Sequence, residues 1–187
     1  DGSGFGDIEA RSNFAETAFF FPQLHTNENG EIIIEFTMPE SLTKWKFMGL
    51  AHTKDLKTGT VTKELQTQKT LMVNSFAPRF FREGDKIVFS SKVSNLSEED
   101  LNGQAQLELI DPFTGESIAD KFGLENPTLD FTVKKGQSTK LTWDLEIPYG
   151  VGAVTYRIKA KAGAFTDGEE MSIPILSNRM WVTEAMP

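Results

Sequence analysis

The residues able to do chemistry are few and scattered. His25 and His52 are the only histidines in the 187 residues. They fall in different segments and share no metal-ligand spacing. A metalloprotease helix needs two His four apart around a Glu, and that run is absent, so both read as surface or turn residues. Without Cys there is no disulfide, no thiolate zinc and no thiol nucleophile in this stretch. Ser-His-Asp chemistry assembled from distant residues is left open by sequence, but no Gly-x-Ser-x-Gly elbow occurs. Gly2-x-Gly4-x-Gly6 has no strand before it and no helix after it, which excludes a dinucleotide fingerprint. Glu98-Glu99-Asp100 and Glu169-Glu170 could offer oxygens to calcium. That ion wants six to eight ligands, and the EF-hand spacing is missing; both runs read as solvated acidic loops. Lys134, Lys135, Lys140, Lys159 and Lys161 read as solvent faces of strands, where charge discourages edge pairing. Trp45, Phe80, Phe81, Trp143 and Trp181 could form a carbohydrate platform. Trp143, however, falls on the apolar face of its strand, and Trp181 lies beyond the last strand, exposed or docked on a domain outside this stretch. The expectation is no catalytic residue, no cofactor-binding residue, no metal ligand, no cofactor and no enzymatic activity.

The elements that would position these residues are strands. The first dozen residues are Gly-rich and polar and read as flexible. In 31–38, Ile32, Ile34, Phe36 and Met38 share one face, with Ile33 the exception on the other. Asn29-Gly30 makes a hairpin turn toward a partner strand at 19–24, and 44–52 is a third strand with Trp45, Phe47 and Gly49 on one side. The polar stretch 54–60 reads as a boundary. Seven strands follow, at 67–76, 86–96, 104–110, 129–133, 139–147, 154–162 and 171–175. The turn signals between them are Glu83-Gly84-Asp85, Asn102-Gly103, Lys135-Gly136, Tyr149-Gly150 and Asp167-Gly168. Seven such strands, each with one apolar face, describe an antiparallel β-sandwich. Its predicted core includes Leu107, Leu109, Phe131, Leu141, Trp143, Leu145, Tyr156 and Ile158. Residues 96–101 could form one helical turn capped by Ser97. Pro174 predicts an edge position or a bulge for the last strand.

Composition agrees. Hydrophobic residues are 39% and charged residues 25%, ordinary for a globular chain. A net charge of -8 argues against nucleic acid, whose phosphates need clustered Lys and Arg, and more weakly against anionic membrane surfaces. Phe occurs 15 times against two Tyr. Buried Phe needs no hydrogen-bond partner, which suits packed sheets. No apolar run nears the ~20 residues a bilayer requires. With Asp1 first and no signal peptide, the chain reads as a piece of a longer one.

Two stretches, taken in order, carry a resemblance. One is Arg11-Ser-Asn-Phe-Ala-Glu-Thr-Ala-Phe-Phe-Phe-Pro-Gln-Leu24, then Asn29-Gly30, Phe36-Thr-Met-Pro-Glu-Ser-Leu-Thr-Lys-Trp45 and Gly49-Leu-Ala-His-Thr53. The other is Pro78-Arg-Phe-Phe-Arg-Glu-Gly-Asp85 leading to Asn95-Leu96. Together they resemble the α2-macroglobulin family, closest in wording to its bacterial branch, well over 11–112 and by layout beyond. The resemblance implies an all-β, immunoglobulin-like macroglobulin sandwich with extra N-terminal strands from a truncated neighbouring domain. Residues 1–60 would be the C-terminal part of a split macroglobulin-type domain, 61–178 a complete one, and 179–187 a linker. It further implies a non-catalytic scaffold piece of a secreted or periplasmic protease-trapping protein, an endopeptidase inhibitor. The partners would be neighbouring domains of the same chain and, through the whole protein, target proteases. The family's thioester needs a Cys, so it lies outside this stretch or is missing. Asn13, Glu16, Thr17, Pro22, Trp45, Arg82, Glu83 and Gly84 match the family's motifs in structural positions. The competing reading is a generic β-sandwich adhesion or carbohydrate-binding module of a bacterial surface protein.

Overall fold

The structure, a computed structural model, describes residues 4–179. The chain divides into two compact units, 11–69 and a second made of 1–10 with 70–187. The division falls after Lys69, beyond the polar stretch expected to mark it, because that stretch belongs to a hairpin.

In the first unit, β1 (Lys44–His52) and β2 (Thr58–Gln66) pair antiparallel from Lys44↔Gln66 to His52↔Thr58. The hairpin loop is closed by Thr53 N–H to Lys57 O (2.9 Å) and holds Leu56 at φ 65. β2 was hidden in the sequence because its nine residues are exposed on both faces, leaving no apolar alternation to read. Conversely, 31–38, which alternates, and its expected partner 19–24 form no strand among the described residues. The turn between them is present: Gly30 takes φ +77, and Asn27 N–H donates to Glu31 O at 2.8 Å. No ladder grows from it. A strand is made by its partner's backbone as much as by its own side chains. The segments instead fold locally around Phe19, whose ring lies 4.4 Å from Phe36 and 6.1 Å from Phe47.

The second unit is the expected sandwich. One sheet orders β3 (Leu71–Ser75), β5 (Lys86–Asn95) and β8 (Ser138–Glu146). The other orders β4 (Phe81–Arg82), β10 (Phe165–Leu176), β9 (Ala153–Ala162), β6 (Leu101–Ile110) and β7 (Thr128–Val133). All seven predicted strands are present, joined by the two-residue β4, which runs parallel to β10. Between the sheets, Leu107, Leu109, Phe131, Leu141, Trp143, Leu145, Tyr156 and Ile158 form one buried cluster with Phe89 and Phe122. Each follows from alternation: in β8 every second residue is buried.

Local expectations fared unevenly. Asn102-Gly103 is no turn but lies within β6, where a Cβ on Gly103 would come within 2.2 Å of the Lys161 carbonyl; glycine serves close strand approach here. Asp167-Gly168 is likewise inside β10. The β9–β10 turn comes earlier, at Gly163 (φ 58). Residues 96–101 make no helix. Ser97 N–H turns back to Asn95 Oδ1 at 2.8 Å, an Asx turn that competes with helix. The structure adds a short 3-10 turn, Ala119–Phe122, which carries no periodic signal in the sequence. β10 is not the edge strand that Pro174 suggested, since it lies between β4 and β9, but the β4 ladder begins only at Ile175. Ile175 N–H donates to Gly152 O, so the Pro174 nitrogen points away from β9, where no donor is required.

Candidate functional site

The motif residues build joints. Glu83 heads the turn that opens β5. Its Oε1 accepts the Gly150 amide at 2.8 Å, its own N–H donates to Leu176 O at 3.0 Å, and its carbonyl accepts Asn178 Nδ2 at 2.5 Å. One buried residue thus ties the start of the sandwich, the β8–β9 turn and the exit from β10. The Gly150 amide, aided by Ser177, Arg179 and Asn178, outweighs burial and holds the Glu83 carboxyl below the usual range. Gly84 follows at φ +81 with the Tyr149 hydroxyl where a Cβ would stand, so two independent constraints demand glycine. Arg82 stays exposed, its guanidinium 5.8 Å from the Phe80 ring centre.

In the first unit Glu40 plays the matching part. Its Oε2 accepts the Ser12 and Asn13 amides, both at 2.8 Å, and its N–H donates to Asn13 O. The Asn13 amide, then that of Ser12, lowers its pKa. Trp45 is half-buried and donates Nε1 to Thr67 Oγ1 at 3.1 Å; that hydroxyl donates to Ser41 O at 2.7 Å. Glu16, Thr17 and Pro22 are exposed.

The residues weighed for chemistry are dispersed. His25 and His52 are both exposed, and among the described residues no group of three His, Cys, Asp or Glu is placed to hold a metal. Glu98 pairs with Lys135, and Asp100 Oδ1 accepts the Lys135 amide at 2.9 Å, which makes that acidic run a loop clasp. Trp143 is core, Phe81 is buried and Phe80 half exposed, so these aromatics make no shared platform; Trp181 lies outside the described residues.

Two readings are corrected. Glu169 is buried rather than a solvated loop residue, and Lys159 is 6% exposed rather than on a solvent face. Lys159 Nζ lies 3.3 Å from Glu108 Oε1, beside an Arg157 held by Glu108 (3.0 Å) and Glu170 (2.5 Å). Glu169 belongs with Asp167 to a device that sequence reasoning missed. β3 and β10 share no ladder, yet Asp167 Oδ2 accepts the Val73 amide at 2.9 Å, and Glu169 Oε1 accepts the Ser75 amide at 3.4 Å. Carboxylates two apart on β10 thus serve amides two apart on β3, linking the sheets by side chains. The Ser75 and Tyr156 hydroxyls complete the group, 2.6 Å apart. Burial pushes the Tyr156 phenol well above its ordinary range. The signal was available in principle: Asp167, Glu169 and Met171 alternate on one face, and two acids facing inward need donors.

Fold and joints together define a class: a two-sheet antiparallel β-sandwich module whose distinctive residues hold turns and chain ends. Comparison with known proteins narrows it. The profile described as "Alpha-2-macroglobulin family" matches residues 17–107. The chain is 28% identical to the "Alpha-2-macroglobulin homolog" of Nostoc over 170 residues, 87% of this chain and 8% of that protein. With the "Alpha-2-macroglobulin" of Thermotoga maritima it shares 29% over 102 residues, 54% of this chain and 6% of that one. Native alpha-2-macroglobulin of E. coli shares the fold at a TM-score of 0.59 and 15% identity, over 81% of this chain and 9% of that one. The chain is thus similar to the alpha-2-macroglobulin family over residues 17–107, just under half of its length. It spans under a tenth of the length of these relatives.

Proposed function

We propose that the chain is a scaffold segment of a secreted or periplasmic protein that traps proteases. Residues 11–69 are the closing part of a macroglobulin-type domain whose earlier part lies elsewhere in the longer protein, and the sandwich is a complete domain of its own. Its role is mechanical and needs no catalytic group: packed sandwiches pass a change at one loop to their neighbours as rigid-body shifts. The partners are the adjoining domains of the same chain and, through the whole protein, the proteases it holds.

The observation that carries this reading is the state of the first unit. Its two strands pair only with each other among the described residues, and Phe20, Ile33, Met48 and Leu50 are each more than 70% exposed. A soluble monomer rarely keeps that many large apolar side chains in one small unit uncovered. Isolated two-stranded ribbons are also marginal in water. Missing strands of the same domain would supply both the cover and the ladder.

The test is made on the longer protein. Incubated with a protease and passed over a sizing column, it should retain the protease with activity on large substrates suppressed. Free, fully active protease would overturn the reading.

A further inference from the structure

Residues 4–10 look loose in sequence, yet they are packed. Phe5-Gly6-Asp7-Ile8 forms a turn closed by the Ile8 N–H donating to Phe5 O at 3.2 Å. Phe5 and Ile8 are buried, 4% and 8% exposed, and neither belongs to the cluster between the two sheets. Two contacts fix their place. Gly168 pairs with Lys159 across β10 and β9, on the face opposite Tyr156 and Ile158. A Cβ added to Gly168 would stand 3.0 Å from Ala10 Cα and 3.3 Å from Glu9 O, and one added to Gly4 would stand 2.8 Å from Lys161 Nζ. The segment therefore crosses the outer face of the five-stranded sheet from Lys161 to Gly168. Its backbone comes down on the strand where a side chain is missing, a standard use of glycine within a strand.

We propose that residues 4–10 are a releasable strap. The outer face of β9 and β10 is its seat, a site for a short turn-forming segment bearing two apolar side chains three residues apart, and Gly168 is the position that admits it. The seat lies outside the core, so the strap can leave while the sandwich stays folded. Residues 4–10 belong to the sandwich unit although 11–69 form the other unit. The strap thus ties the chain ahead of the inserted unit back to the domain that follows it.

The first experiment replaces Gly168→Val in the full chain. The added side chain collides with Ala10 but faces away from the core. Amide exchange over residues 5–10 should rise by about ten-fold or more. Amides of Leu107, Leu141 and Ile158 should exchange as before. Unchanged exchange over 5–10 overturns the proposal, as does an equal rise through β5 to β9, which would make Gly168 a residue of the core. The second experiment releases the strap from its own side with Phe5→Ser and Ile8→Ser. A synthetic peptide of residues 4–10 in the native sequence, added to this variant, should bind and slow exchange of the β10 amides around Gly168. It should fail to do so once Gly168→Val is added. No binding to the double variant, or equal binding to the triple one, overturns the seat as a site.

Discussion

At the scale of single residues, burial and hydrogen bonding decide what can change. Trp143 is 3% exposed and donates Nε1 to Pro127 O at 3.1 Å, anchoring the strand-connecting loop to the core. Trp143→Ala should cost about 3–5 kcal/mol, read as a lower urea midpoint at an unchanged slope. A smaller loss would mean that the loop collapses into the cavity. Glu83 makes a different prediction, one about pH. Its folded pKa lies below the unfolded value of 4.5, so ionised Glu83 stabilises the fold. That contribution is complete above the unfolded value and vanishes as pH falls through the folded one. Against Glu83→Gln, the native chain should therefore be more stable near neutrality, and the gap should close as pH drops below about 4.5. A gap that stays constant from pH 7 to pH 3 would show that charge has no part in the joint. Tyr156 adds nothing to this window, because its phenol is pushed far above it.

At the scale of elements, the link between β3 and β10 is the feature most open to test. The two strands exchange no backbone ladder; Asp167 and Glu169 stand in for it. Asp167→Ala takes away the buried carboxylate to which the Val73 amide donates, at a cost on the order of 1–3 kcal/mol. Hydrogen exchange at Val73 should rise before that at Val93 or Leu141 in the same sheet. If all three rise together, β3 is not held separately. Legibility also divides by element. Seven of the sandwich's eight strands could be read, because each pairs an apolar face with a polar one; the two-residue β4 is too short to carry a pattern. β2 could not, since both of its faces are in water. Residues 31–38 carried the pattern of a strand without a ladder to join. The candidate site was half legible: the Glu83-Gly84 turn was singled out as structural, whereas the carboxylate link was misread as a wet loop, because consecutive acids look solvated until their donors on another strand are known.

At the scale of the whole molecule, the first unit should govern solution behaviour. Its exposed apolar side chains favour cover at ~25 cal/mol per Å2, and its unpaired strand edges invite a partner. Light scattering should show this chain associating as concentration rises, and a longer version that restores the preceding part of the split domain staying monomeric. A strictly monomeric chain would count against the split-domain proposal. Neither EDTA nor calcium should move the melting temperature. A metal bound only by the folded state would raise it, so a calcium-dependent rise of several degrees would reveal a site.

What the sequence determined by itself was the class of fold, the inward residues of the sandwich and the family resemblance, because period-two alternation and ordered turn motifs are local properties of the chain. The tertiary structure alone decided which alternating segments found a ladder, where the buried charges of Asp167, Glu169 and Lys159 found their partners, and that residues 4–10 lie packed on a sheet. Each of these depends on groups distant in sequence meeting in space, as the Val73 amide meets Asp167 or Ala10 meets Gly168, and no local pattern records such a meeting.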